Sequence, residues 1–374
     1  MPLLCTLPGL LILVLLVAAT VTGQDPERPV VLWLTKYICW ETDHLLEIFH
    51  PDEFEHIASA RAQGRLPPSV SGSRVKVVVY NILNAGKDAT YSEVRSVVAS
   101  YPSVNILVHL SDEWQGTKRK WRYGEGVELY HLHPQLVLRQ HSPFPYSDTL
   151  GVNMSKVMTL PLGYFRGMIF PFTNRTVRGN DEPPLKIPFA PRFAQDGSNR
   201  SLSLHSSSDV ALLYSSTIRT ADRYFNWTHV GELGGHGDRK KALRIFQSWH
   251  PHKSGRMSAP EMFNLYLRSR FVPVGRGQLA LDCFRIYEAI IAGAVPVVVG
   301  DDKEIQRTFN FSGSVGLEMP PAVFKPTWEE ALNECRNMSE AQIDKRRAEL
   351  ASWYAGRMQK LRERARAAAG INQR

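Results

Sequence analysis

The stretch from Phe271 to Gly300, FVPVGRGQLALDCFRIYEAIIAGAVPVVVG, constrains this chain more than any other. Phe271 to Val274 is short, apolar and β-prone, and Gly275 and Gly277 then make a flexible loop. Leu279 to Ala292 has helical apolar spacing and stops at Gly293, a residue type that commonly ends helices. Ala294 to Val299 is an apolar, β-branched run suited to a buried parallel strand. Two parallel strands joined by a helix form a right-handed βαβ unit. Ligands of such sheets bind beyond the carboxyl ends of the strands, beside helix N-termini. The Gly275 to Asp282 loop has that place, and Arg285 and Glu288, three apart, share one helix face. Helix N–H groups and an arginine fork suit phosphate oxygens, and a glutamate suits vicinal ribose hydroxyls. The plain alternative is a surface ion pair beside an ordinary turn.

A chain of 374 residues leaves room for two domains, and 43% hydrophobic with 22% charged residues is an ordinary globular composition. Met1 to Val21 carries no charged side chain and reads as a secretory signal or a membrane anchor. Val21 and Gly23 are small enough for cleavage before Gln24, and no Lys or Arg precedes the apolar run, so both readings stay open. In either case the remainder is expected in a lumenal or extracellular space, the Golgi or endoplasmic reticulum lumen, as a single-pass type II membrane protein or a cleaved, secreted one. Sequons at Asn153, Asn174, Asn199, Asn226, Asn310 and Asn337 fit that compartment. Cys39, Cys283 and Cys335 allow at most one intrachain bridge, and none has metal-ligand spacing with another. The net charge is +9, and Ser339 to Arg374, with nine Lys/Arg against four Asp/Glu, supplies +5 of it. That segment reads as a solvated basic helix, with an acidic acceptor or phospholipid headgroups as its sharper partners. Nucleic acid is not expected there.

Strands are expected at Val30–Leu34, Val75–Leu83, Val104–Leu110, within Val127–Leu138 and at Lys156–Leu160, the last closed by the turn Pro161-Leu162-Gly163. Helical spacing falls in the second half of Thr35–Phe49 and at Tyr91–Ser100. Thr173 to Ser208 is proline-rich with little apolar periodicity and reads as a connection or long loop. A second series follows, with a strand at Val210–Tyr214, a glycine-rich lead-in at Gly231–Gly237, and helices at Asp238–Trp249 and Pro260–Arg270, the latter capped by Ser258. Asp301 and Asp302 read as a helix cap, and Ser339–Ala369 as a long amphipathic helix able to reach back across a cleft. The expected divisions are 1–23 signal or anchor, 24–172 N-terminal domain, 173–208 linker or loop, 209–338 C-terminal domain and 339–374 basic helix.

The pattern RxxEAxxxGxxPV, here Arg285, Glu288, Ala289, Gly293, Pro296 and Val297, resembles the signature of the exostosin family of glycosyltransferases. Tyr266, Leu267, Ser269, Phe271, Pro273 and Gly275 look like the same family. The run Cys283 to Ala289, with Trp328, Arg346, Arg347, Trp353 and Tyr354, is similar to the ribitol-phosphate xylosyltransferase group. The likeness is good over Tyr266 to Tyr354. Upstream it is confined to His109-Leu110-Ser111-Asp112-Glu113 and Pro161-Leu162-Gly163-Tyr164. It implies an α/β, GT-B-like fold: two Rossmann-like domains facing a cleft, the nucleotide-sugar held by the C-terminal one, and a long C-terminal helix. It also implies inverting transfer without a bound metal or other cofactor, a UDP-sugar being the donor substrate and a glycan or glycoprotein the acceptor.

On that resemblance Arg285 and Glu288 hold the nucleotide, with Gly275, Arg276, Gly277 and Arg223 beside the diphosphate and Arg219 competing with Arg223. Inversion needs a general base near the acceptor hydroxyl. Asp112 and Glu113, just past a strand end, are the candidates, with Asp43 and His44 as alternatives and helix capping as the plain reading. His131/His133 and His250/His252 have alternate spacing but no acidic or cysteine neighbours, and read as surface pairs. Xylose is the first expectation for the sugar, against glucuronic acid, N-acetylglucosamine, galactose or arabinose. A different class of answer is a catalytically silent glycan-binding or scaffold protein of the same fold.

Overall fold

The β-branched runs form strands that are buried on both faces, as parallel strands covered by helices should be. The structure is a computed structural model. It describes residues 28–34, 42–58, 66, 70–81, 91–110, 127–140, 154–163, 175–179, 185–187, 225–230, 237–255, 259–276, 281–309 and 319–371. Strands β1 (Val30–Trp33), β2 (Glu55–Ala58), β3 (Val75–Asn81), β4 (Ile106–Leu110), β5 (Leu136–Gln140) and β6 (Val157–Leu160) pair in the order β6-β5-β4-β3-β1-β2, all parallel. Helices α1 (Thr42–Ile48) and α2 (Tyr91–Ser100) accompany them. The chain leaves β1 toward β2 on one side and β3 on the other, so the crevice of this sheet lies beyond the ends of β1 and β3.

Strands β7 (Arg175–Gly179) and β8 (Leu185–Ile187) extend the same sheet beyond β2. They fall in the segment expected to be a linker. Two or three paired residues at a sheet edge need no long apolar run, so the sequence pattern does not reveal them. Val127–His131 is a 3-10 turn rather than a strand, and β2 was not anticipated. The expected strand at Val210–Tyr214 and the Ser258 cap lie outside the described residues.

The second sheet joins β9 (Phe225–Val230), β10 (His252–Gly255), β11 (Ser269–Val274), β12 (Val295–Val299) and β13 (Val323–Lys325) in the order β10-β9-β11-β12-β13, all parallel. Its crevice lies beyond β9 and β11. Helices α3 (Gly237–Phe246), α4 (Ala259–Leu267), α5 (Phe284–Ile291), α6 (Asp302–Phe309) and α7 (Trp328–Asn337) complete it. Asp301 caps α6 through its Oδ1, which accepts the Glu304 N–H at 2.9 Å, and Thr327 caps α7 in the same way.

The last element, α8 (Glu340–Ala369), opens on a capping box between Ser339 and Gln342 and closes at Gly370, which has φ 75°. Its inward face, Ile343, Leu350, Tyr354, Arg357, Met358, Leu361, Ala365 and Ala369, is buried. The N-terminal turns pack on α5 and β12, and the helix goes on to α1, β4 and β5. Arg347 Nε donates to Gly293 O at 2.7 Å in one domain. Arg357 Nη2 donates to Thr159 O at 2.8 Å, and Arg362 Nε to Glu47 O at 2.6 Å, in the other. One apolar cluster therefore runs from the inward face of the first sheet through α8 into the second domain. The fold is α/β and GT-B-like, two parallel-sheet domains braced by a long C-terminal helix.

Candidate functional site

At the carboxyl end of β11 the backbone turns at Gly275. A Cβ there would lie 2.4 Å from Arg239 Cγ and 3.4 Å from its Cα, so glycine allows α3 to approach this closely. Asp238, in the first turn of α3, accepts the Arg276 N–H at 3.3 Å and the Trp328 indole N–H at 2.8 Å. Arg239 Nε donates to Arg276 O at 3.1 Å. The N-terminus of α3 is thereby held against the end of β11.

Arg276 was expected beside the diphosphate, but its guanidinium meets both oxygens of Glu304 on α6, Nη2 to Oε2 at 2.6 Å and Nη1 to Oε1. Those hydrogen bonds raise its pKa further. Its charge is neutralised locally, and the geometry gives it a bracing role. Gly277, Arg223, Arg219, Asp112 and Glu113 lie outside the described residues.

Helix α5 begins at Phe284 rather than Leu279, because Cys283 is extended (φ −152°, ψ 144°) and its side chain does not cap the helix. The later start puts Arg285 in the first turn, where the helix dipole favours anions. Arg285 Nη1 lies 3.7 Å from Cys283 Sγ. Burial opposes its charge, but Cys283, Tyr266 and Glu288 more than offset that and hold its pKa above the usual arginine value. Glu288 is 1% exposed and Tyr266 on α4 is fully buried. Burial, then Glu288, pushes the Tyr266 phenol well above its ordinary value, so it stays a hydroxyl. Arg285 and Glu288 thus belong to one buried cluster against α4, and the surface-pair alternative does not describe them.

Across the junction, His44 in α1 is fully buried against Gly163, whose φ of 72° and 2.3 Å from a notional Cβ to His44 Cγ require glycine. Burial, then Arg357 and Arg362, lowers the His44 pKa to about 3. An imidazole so reluctant to take a proton is a poor general base at neutral pH. Asp43 is the second residue of α1.

Several groups in this region escaped the sequence analysis. Asp282 is 3% exposed and accepts the Tyr287 O–H at 2.8 Å. Arg357 is 1% exposed and burial lowers its pKa to about 10. An aspartate inside an apparently helical run and an arginine on a basic helix carry no signal of burial.

The histidine pairs stay apart from this region. His131 and His133 are exposed. The His250 and His252 rings lie 4.5 Å apart, with His252 stacked on Trp227. Cys283 and Cys335 are buried and form no disulfide among the described residues. Of the sequons, Asn337 is exposed at the end of α7, whereas Asn226 lies in β9 with its amide donating to His250 O at 2.7 Å and accepting from Arg270 at 3.3 Å. Asn153, Asn174, Asn199, Asn310, Cys39 and the apolar start lie outside the described residues. Among those described, no helix is long and apolar enough to cross a membrane.

Residues 241–368, which span α4 to α7 and all but the last residue of α8, match the family model of the RXYLT1 C-terminal domain. Over these residues the chain is similar to that domain. The match covers Arg285, Glu288, Tyr266 and Asp282, and agrees with the resemblance to ribitol-phosphate xylosyltransferases. A search of curated proteins returns no match. A solved structure described as the glycotransferase of kitacinnamycin aligns with 92% of this chain and 97% of its own, at 11% identity and a TM-score of 0.34.

Proposed function

We propose that the chain is an inverting glycosyltransferase that moves a sugar, xylose first, from a UDP-sugar to a glycan acceptor in the secretory pathway. The observation that carries this reading is the placement of Arg285 in the first turn of α5 with Glu288 one turn below it. Helix α5 follows β11, at the carboxyl edge of a parallel sheet, and the end of β11 is where the N-terminus of α3 is braced. Leaving diphosphate needs fixed positive charge and N–H donors, and both are concentrated there. Glu288 would receive the ribose hydroxyls. The arginine and helix ends supply the positive charge, so the reaction is proposed to run without a resident metal or cofactor.

A carboxylate of the N-terminal domain, Asp112 or Glu113 before Asp43, would take the acceptor proton. The uncharged first 21 residues and the six sequons support a lumenal location, anchored or secreted. Offering the purified lumenal portion a panel of UDP-sugars tests the reading, with slow UDP release, fastest from UDP-xylose, as the expected result. Absence of both UDP binding and turnover across the panel would leave the silent glycan-binding reading.

A further inference from the structure

Asp282 sits one residue before Cys283, the N-cap of α5, and two before its first residue, with its carboxyl almost completely removed from solvent. It accepts the Tyr287 O–H from its own helix at 2.8 Å. It also accepts backbone N–H groups from Cys283 and from Leu162, the latter in the Pro161-Leu162-Gly163 turn of the other domain. The Arg357 guanidinium of α8 faces it and reaches onward to Thr159 O, at the end of β6, at 2.8 Å. Gly163 completes the contact by lying flush on the His44 ring. One carboxyl therefore touches both domains and the helix that braces them, three positions from Arg285.

We propose that Asp282 is a positioning residue for transfer, fixing the first turn of α5, and Arg285 with it, against the Pro161–Gly163 turn of the acceptor-side domain. The inference rests on the glycosyltransferase reading above. Its physical basis is a division of labour. The donor groups named above all belong to the C-terminal domain, so donor binding needs that domain alone. Transfer also needs the acceptor-side carboxylate at a fixed distance, and the geometry for attack is lost with displacements of about 1 Å. A contact that sets the angle between domains should govern turnover and leave donor affinity nearly untouched.

Protonation gives a second handle. The groups facing the carboxyl are the Tyr287 phenol and Cys283 on its own element, Arg357 from α8 and the Leu162 amide from the other domain. Burial, against the hydrogen bond from Tyr287 and the Arg357 charge, raises the Asp282 pKa to about 6. Below that pH the carboxyl is neutral and no longer balances Arg357. Turnover should therefore fall with an acid limb near pH 6.

Asp282→Asn tests this by keeping the shape and removing the charge. The expected result is a kcat about tenfold lower at pH 7.5, calorimetric UDP affinity within about twofold of wild type, and loss of the acid limb near pH 6. Tyr287→Phe, which removes a single hydrogen bond, should shift the limb upward and lower kcat less, so the inference stays testable if Asp282→Asn folds poorly. Hydrogen exchange should quicken at Pro161–Gly163 and at the start of α5 together. An Asp282→Asn variant with unaltered kcat and acid limb, or one in which UDP affinity falls as much as kcat, overturns the proposal. A wild-type chain that neither binds UDP nor turns over any donor removes the transferase reading itself, a different outcome from failure of Asp282 alone.

Discussion

The two halves of the molecule bury different ionisable groups: the N-terminal half mainly histidines, with Glu47 and Arg139, and the C-terminal half carboxyls and arginines. In the N-terminal half His44, His56 and His109 are nearly or fully enclosed, and burial lowers each pKa, to about 3 for His44 and about 4 for His56. They are neutral packing groups: His56 accepts the Trp33 indole N–H at 3.0 Å, and His109 stacks on Tyr80. In the C-terminal half Asp282, Glu288 and Arg357 are enclosed and Arg285 is partly buried beside them, around one helix start and one domain junction. Enclosing charge costs far more than enclosing a neutral imidazole. Packing accounts for the neutral histidines, whereas the charges enclosed around the start of α5 are what the proposed ligand site would need.

The largest expected effect probes the neutral set. A histidine whose folded pKa is depressed contributes stability above its unfolded value of 6.5, and that stability is lost as pH falls toward the folded value. Asp282, raised from 3.8 to about 6, acts in the opposite direction and returns part of it between pH 6 and 4. Two strongly depressed histidines outweigh one moderately raised carboxyl. Thermal stability should fall by roughly 3–5 kcal/mol between pH 7 and 4, at about 1.4 kcal/mol per pKa unit. A flat melting temperature over that range would break the contrast, because the histidines could not then be neutral by burial.

Next in size is Arg285→Ala, with transfer expected to drop about 100-fold or more, as for other groups that stabilise developing negative charge, and with little change in circular dichroism. Glu288→Gln keeps the volume and weakens one acceptor of charge-assisted hydrogen bonds. UDP affinity should fall about tenfold by calorimetry, and unchanged affinity would remove Glu288 from the site. The smallest effect belongs to Arg276→Ala. Its partner is Glu304, both are about 30% exposed, and breaking the pair should cost about 1 kcal/mol of stability with UDP affinity nearly preserved. An Arg276→Ala loss of affinity equal to that of Arg285→Ala would erase the distinction between bracing and ligand-facing arginines.

The central βαβ unit was legible because its strands are continuous apolar runs and its helix has a clear apolar face. The register of Arg285 was not, because helical spacing from Leu279 extends past the true start at Phe284. Only the tie of Asp282 to Tyr287 and Leu162, with Cys283 extended beside it, halts the helix there. The Asp301 cap, the Ser339 start of α8 and the Pro161–Gly163 turn were legible for the same local reason: caps and turns depend on residues within a few positions of each other. Strands β2, β7, β8, β9, β10 and β13 were missed because a short strand owes its existence to a partner elsewhere in the chain.

By itself the sequence determined that the chain is α/β, that its C-terminal half carries a βαβ unit, and that Arg285 and Glu288 share a helix face. Those properties follow from periodicity and local chemistry, which any short window contains. Tertiary structure alone decided that Arg276 is claimed by Glu304, that His44 is sealed against Gly163, and that Asp282 and Arg357 meet at the junction of two domains. Burial and charge pairing there depend on residues tens to hundreds of positions apart, and no local pattern encodes which of them meet.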